Sequence, residues 1–111
     1  MKFRILGCVA AIAVMSSAAQ AETIRQLAVT KIGEAMGLAA KCSSLELDSA
    51  RIQAAVDSSG IAVKGLMDEA FAIAEKVVVK LQGSDEAEAC DIGFKLYGPD
   101  GQKAKGFLKA K

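Results

Sequence analysis

The chain contains no histidine and no tryptophan, and it has one tyrosine and one proline in 111 residues. The absence of histidine excludes Ser-His and Cys-His nucleophile pairs, imidazole metal ligands, Cys2His2 zinc sites and c-type haem attachment. Lysines and carboxylates are the remaining candidate bases. Neighbouring acidic residues such as Asp68 and Glu69 point about 100 degrees apart on a helix, so they do not face a shared site. We therefore expect a protein that is not an enzyme and that holds no cofactor and no metal.

The first 21 residues have the pattern of a secretory signal peptide. It starts with the charged residues Lys2 and Arg4 and continues with an apolar stretch from Ile5 to Val14. It ends with a small-x-small cleavage site at Ala19-Gln20-Ala21. We expect cleavage before Glu22 and a periplasmic or secreted mature chain without a transmembrane span. An uncleaved anchor is disfavoured because a membrane span needs about 20 apolar residues. Lipidation at Cys8 is disfavoured because almost no apolar segment precedes it.

Loss of the signal peptide would leave 90 residues with 12 basic and 13 acidic side chains. A net charge of about −1 argues against nucleic acid or anionic lipid as the main partner, because both demand a positive field. Two cysteines remain, Cys42 and Cys90, and in an exported chain such a pair predicts one disulfide. The closed loop would contribute roughly 4 kcal/mol in the chain-entropy model. The alternative is a redox-active or intermolecular pair, which no Cys-x-x-Cys motif supports.

Apolar residues recur at helical spacing along nearly the whole mature chain. The pattern predicts four helices, at Thr23 to about Lys41, at Asp48 or Ser49 to about Ser58, at Val63 to Leu81, and from a Ser84 cap to about Tyr97. The valine run from Val77 to Val79 could instead be a strand of a mixed fold. Its position at the end of an unbroken helical pattern favours the helix.

The helical spacing also predicts which side chains face the core. The larger residues predicted to face inward are Ile24, Leu27, Ile32, Met36, Ile52, Val56, Val63, Leu66, Met67, Phe71, Val77, Val78, Leu81, Cys90, Ile92, Phe94 and Leu96. Gly33 and Gly37 lie one turn apart in the first helix, which indicates either close helix packing, the preferred interpretation, or a deliberate weak point. Tyr97 is expected at the edge of the core with its hydroxyl in water.

A turn and a basic tail end the chain. Gly98 to Gly101, with Pro99 at its second position, is a turn signal, so the fourth helix must end near Tyr97. The last seventeen residues carry about +4, whereas residues 22 to 94 carry about −5. One hypothesis is an arm that binds an acidic partner or membrane surface. The others are a tail whose Phe107 and Leu108 fold back over the helices, and a tail attracted by the acidic body. The candidate partner-binding residues are Lys103, Lys105, Phe107, Lys109 and Lys111.

These elements predict an all-α fold, a small four-helix bundle stapled by one disulfide and followed by a basic C-terminal extension. The predicted divisions are a signal peptide at 1–21, a helical domain at 22–98, and a turn with a basic tail at 99–111. The oligomeric state does not follow from the sequence.

Two resemblances bear on function. Cys42 and Cys90 bracket helices, a turn runs from Tyr97 to Gly101, and a tail follows at Gly106-Phe107-Leu108. In these features the chain resembles small exported two-cysteine helical proteins of Gram-negative bacteria. In length, signal peptide and one disulfide that links helices, it is also similar in architecture to the HdeA-type acid-stress chaperones of the periplasm. The first resemblance implies an exported helical protein, and the second implies only an architecture.

Three functional hypotheses follow. The first is a non-enzymatic periplasmic interaction module that binds a protein partner in the cell envelope. The second is a stress-responsive chaperone whose loosened helices expose Met36, Met67 and Phe71 to unfolding clients, with carboxylate protonation as the acid trigger. The third is a carrier of a small apolar ligand, which requires a persistent cavity between the helices.

Overall fold

The computed structural model describes residues 23–111, so the predicted signal peptide and its cleavage site at Ala19 and Ala21 lie outside the described residues. Four helices and two short strands follow one another along the chain. They are α1 (23–41), β1 (Leu45–Leu47), α2 (Ser49–Ser59), α3 (Leu66–Lys80), α4 (Glu86–Tyr97) and β2 (Leu108–Ala110). The four predicted helices are confirmed, and the strand alternative for Val77 to Val79 is wrong because all three valines lie within α3.

Short polar residues set the helix boundaries. The Asp48 carboxylate accepts a hydrogen bond from the Arg51 amide and caps α2, and Gly60 ends that helix in the left-handed conformation, with φ at 69°. The cap of α4 is Asp85, whose carboxylate accepts from the Glu88 amide at 2.8 Å, one residue after the predicted Ser84. The predicted caps are therefore correct to within one residue.

The two strands form an antiparallel pair that the sequence did not predict. Leu45 pairs with Ala110 and Leu47 with Leu108. The prediction of an all-α fold with a C-terminal extension is wrong at this point, because the end of the chain is part of the folded unit. Leu108 is fully buried and Phe107 nearly so, as expected if the tail folds back. A strand of three residues is too short to show the alternation that reveals longer strands.

Helix α1 is the centre of the structure. Its larger buried residues are Val29, Ile32, Ala35 and Leu38, and Cys42 is buried directly after it. Gly33 and Gly37 face α3, and Leu38 lies close to Gly93 of α4, while α2 shares a cleft with the N-terminal half of α1. Helix α3, in contrast, has few contacts with α2, α4 or the strands. It therefore rests on α1 along one side and leaves its other side exposed.

The two glycines of α1 allow α3 to approach closely. A Cβ atom on Gly33 would lie 2.6 Å from both the Ala70 carbonyl oxygen and the Ile73 Cβ, and one on Gly37 would lie 2.7 Å from the Val77 Cβ. Distances this short exclude any side chain without a shift of the backbone. The interpretation of these glycines as a close helix contact is confirmed.

Cys42 and Cys90 form the predicted disulfide, with Cα atoms 5.0 Å apart. The bond joins the residue after α1 to the first half of α4, and Cys42 is fully buried. A disulfide of this kind is consistent with an oxidising compartment. Over residues 23–111 no helix is both long and apolar enough to cross a membrane.

Several residues predicted to face the core are exposed instead. They are Ile24, Leu27, Val63, Met67, Phe71 and Phe94, each about half exposed or more. Helical spacing correctly placed them beside buried residues, but it does not show how many neighbours a helix has. Because α3 packs mainly on α1, part of its wide apolar face stays in contact with solvent.

Candidate binding cleft

A cleft of about 650 Å³ lies between α1, α2 and residues 103–107, and it is here called the basic cleft. Its floor is apolar, with Ile32 from α1, Val56 from α2 and Phe107 from the C-terminal segment, all of them buried. The cleft is open along one side. Its size lies in the range of small-ligand sites, roughly 300–1,000 Å³.

Every charged residue that lines the basic cleft is positive. These residues are Lys31, Arg51, Lys103 and Lys105. The Arg51 guanidinium donates to the Lys105 carbonyl oxygen at 3.2 Å, and its side chain passes over Gly106. The cleft thus has a positive field above an apolar floor, an arrangement that favours an anionic partner with an apolar part.

The turn after α4 brings the C-terminal segment to the cleft. The Gly101 amide donates to the Gly98 carbonyl oxygen at 2.9 Å, and the Gly106 amide donates to the same oxygen at 2.8 Å. Gly106 has a φ of 76°, a conformation that favours glycine. This double turn lays residues 102–106 against the end of α4 and turns Phe107 inward.

Tyr97 ties this segment to α1. Its side chain is fully buried, its ring stacks on that of Phe107 with centroids 6.3 Å apart, and its hydroxyl donates to Glu34 Oε1 at 2.7 Å. The prediction of a hydroxyl in water is therefore wrong. Burial, followed by the hydrogen bond and the charge of Glu34, raises the pKa of Tyr97 well above its ordinary range, so the phenol remains protonated.

Glu34 also holds one of the basic residues of the cleft. Lys103 Nζ lies 3.0 Å from Glu34 Oε1 and 3.2 Å from Oε2. The carboxylate therefore bonds Tyr97 of α4 and Lys103 of the C-terminal segment at the same time. This contact fixes Lys103 beside α1 and offsets part of its charge, so Lys31, Arg51 and Lys105 carry most of the positive field.

The five predicted partner-binding residues divide between two places. Lys103, Lys105 and Phe107 line the basic cleft. Lys109 lies on β2 opposite Glu46, and Lys111 follows that strand with its amide bonded to the Ser44 carbonyl oxygen. Neither of these two lines the cleft, and buried Phe107 forms part of the floor, so the structure does not bring the five residues together in one place.

The sequence did not reveal the other half of the cleft. Lys31 and Arg51 are isolated basic residues in the acidic part of the chain, and no spacing rule connects them with Lys105. Ile24 and Leu27, which also line the cleft, were predicted to be core residues. The only available signal was that both positive residues lie in amphipathic helices.

A second exposed surface lies on the N-terminal part of α3 and on Val63, which precedes that helix. Val63, Met67 and Phe71 follow one another at four-residue spacing and are more than half exposed; together they are called the α3 face. The N-terminal end of α3 is held to α1 by Arg25, whose guanidinium lies 2.6 Å from the Glu69 carboxylate. That hydrogen bond lowers the pKa of Glu69.

A third carboxylate lies close to the disulfide. Glu86 at the start of α4 accepts hydrogen bonds from the Ser43 amide at 2.8 Å and from the Ser43 hydroxyl. These bonds lower the pKa of Glu86. Within the described part of the chain, cysteines and carboxylates form no group of three that could hold a metal ion.

Comparisons with known proteins give no relatives. No protein-family model matches the chain, no curated protein matches it, and no solved structure matches it.

Proposed function

We propose that the protein is a non-enzymatic binding module of the periplasm that captures an anionic component of the cell envelope in the basic cleft. The observation that carries this proposal is the combination of an apolar floor with four basic lining residues and no acidic one. The rest of the predicted mature chain has a net negative charge, so the four basic lining residues stand out against an acidic background. Export is supported by the signal-peptide pattern and the disulfide.

The fold holds the cleft ready for a partner. Lys103 is fixed by Glu34, and Phe107 is fixed by its stacking on Tyr97. The disulfide connects α1 to α4, from which the C-terminal segment leaves. A binding surface that is ordered before it meets its partner loses less conformational entropy on association.

Charge reversal tests this proposal. A Lys31→Glu, Lys105→Glu variant should lose at least tenfold in capture of an anionic envelope component by the immobilised protein. The matched control is Lys109→Glu, Lys111→Glu, which changes the net charge by the same amount outside the cleft. The control should keep its capture, measured as the bound fraction of envelope extract that salt elutes. Equal loss in both variants would show a non-specific charge effect and contradict the cleft.

The α3 face supports a second candidate function, an acid-activated chaperone. Met67 and Phe71 are already exposed in the folded state, and the Arg25–Glu69 ion pair holds that helix to α1. A carboxylate whose pKa is lowered by folding stabilises the fold at pH values above its ordinary pKa. This stabilisation is lost as the pH falls through the lowered pKa. Glu69, which binds Arg25 of α1, has such a lowered pKa, so the hold on α3 should weaken in acid.

Client protection in acid separates the two candidates. A chaperone should suppress aggregation of an unrelated client below about pH 4 and not at pH 7. The Met67→Ser, Phe71→Ser variant should then lose that protection. Val79→Ser removes another exposed apolar residue of α3 that is not part of the α3 face, and it should keep the protection. If the unaltered protein protects no client at any pH, the chaperone candidate is wrong.

A further inference from the structure

We infer that the basic cleft takes a single-chain amphiphile with an anionic headgroup, of the fatty-acid class. The headgroup would lie at Arg51 and Lys105, and the acyl chain would extend toward Ile24 and Leu27. This inference rests on the proposed function and names the chemistry of its ligand.

The cleft is polar at one end and apolar at the other. Arg51 lies in the first turn of α2, and its guanidinium bonds the Lys105 carbonyl oxygen. At the far end of α2, the Ser58 and Ser59 hydroxyls donate to carbonyl oxygens of their own helix. That end therefore offers the ligand no free hydroxyl proton, whereas the first end offers guanidinium and ammonium donors.

The apolar end is the part of the cleft that lacks a cover. Ile24 is 49 % exposed and Leu27 52 % exposed, and both line the cleft. Two large apolar side chains exposed side by side on one helix gain from a ligand that removes them from water. An acyl chain laid along α1 would cover both of them and continue over the floor near Ile32.

The dimensions and the lining favour an acyl chain over a peptide. An α2 helix of 11 residues is about 16 Å long, which is close to the length of a medium acyl chain. A peptide would place its backbone amides and carbonyls over Ile32, Ala55 and Val56, where the lining provides no partner for them. Unpartnered polar groups over an apolar floor weaken binding, and an acyl chain has none.

Binding of dodecanoate is the direct test, measured by titration calorimetry on the purified protein with its disulfide intact, below the micelle concentration. Dodecanoate should bind with a negative heat-capacity change, because apolar surface is buried. Acetate should not bind, and a neutral dodecanoyl monoglyceride should bind at least tenfold more weakly. A monoglyceride that binds as tightly as dodecanoate would overturn the role of the basic end.

Two variants locate the ligand. Lys105→Gln removes a charge and keeps the backbone carbonyl that Arg51 bonds, and it should weaken dodecanoate binding about tenfold. Leu27→Asp should weaken dodecanoate binding at least as much, because it places a carboxylate beside the acyl chain. The matched controls are Lys109→Gln on β2 and Val79→Asp on α3, which make the same changes away from the cleft. If the controls weaken binding equally, the ligand does not lie in the cleft.

Two further experiments distinguish a free fatty acid from a membrane surface and from an acidic protein segment. Co-sedimentation with phosphatidylglycerol vesicles should be the same for the unaltered protein and for Leu27→Asp, because the cleft takes a free monomer. Loss of sedimentation with Leu27→Asp would indicate a membrane-surface site and overturn the inference.

Polyglutamate should not displace dodecanoate, and displacement would point to an acidic protein segment instead. If dodecanoate fails to bind while the Lys31→Glu, Lys105→Glu variant still loses envelope capture, the ligand class is wrong and the binding module stands.

Discussion

Replacing Cys42 and Cys90 together by alanine should lower the free energy of unfolding by about 4 kcal/mol. The disulfide closes a loop with a sequence separation of 48, and the loss of this cross-link returns a large conformational entropy to the unfolded chain. The loop contains β1, α2 and α3, so most of the fold is affected. In a domain this small, a change of that size is a large part of the whole stability. Urea unfolding followed by circular dichroism would measure it.

Reduction provides the control for the disulfide prediction. A thiol reductant should destabilise the unaltered protein to a similar extent, and it should leave the double alanine variant unchanged. Ser44→Ala removes a hydroxyl that lies 3.3 Å from the Cys42 sulfur and 3.5 Å from the Cys90 sulfur, yet it leaves the cross-link intact. It should cost no more than about 1 kcal/mol. A double alanine variant as stable as the oxidised protein would contradict the prediction.

Gly33→Ala should destabilise the fold by about 1–3 kcal/mol, which is the usual cost of overpacking a tight contact. In an exposed helix the same change would stabilise by about 1 kcal/mol, because alanine has the higher helix propensity. Here the new methyl group would meet the Ala70 carbonyl oxygen and the Ile73 Cβ at 2.6 Å, so α3 must move away from α1. Gly37→Ala should act in the same direction through Val77. Urea unfolding measures the stability, and limited proteolysis within α3 measures its detachment.

Gly83→Ala is the matched control for this contact. A Cβ atom at Gly83 would meet nothing within 4 Å, and its φ is not in the positive range that disfavours alanine. This variant should keep the stability of the unaltered protein and show no new cleavage in α3. A stabilised Gly33→Ala variant would mean that α3 can shift away from α1 at little cost.

The helices could be predicted because their signals are local. The Asp48 and Asp85 caps, the Gly60 stop and the turn at Pro99 each act within a few residues. The disulfide followed from the number of cysteines in a chain that is predicted to be exported. The close contact at Gly33 followed from its spacing with Gly37.

The remaining features depend on contacts between distant parts of the chain. The pairing of Leu47 with Leu108 joins segments about sixty residues apart, and each strand is too short to leave a pattern. Tyr97 finds its partner Glu34 on another helix. The basic cleft combines Lys31 and Lys105 from distant parts of the chain, so no local window of sequence shows its charge.

The position of Tyr97 gives the protein a built-in optical reporter. The sequence has no tryptophan and no second tyrosine, so its near-ultraviolet phenol spectrum comes from this one side chain. In the folded state the raised pKa keeps the tyrosinate band absent in moderately alkaline solution, whereas a solvated phenol ionises near pH 10. The band therefore emerges only as the chain opens, and an alkaline titration reads out the opening of the Glu34 contact without any added label.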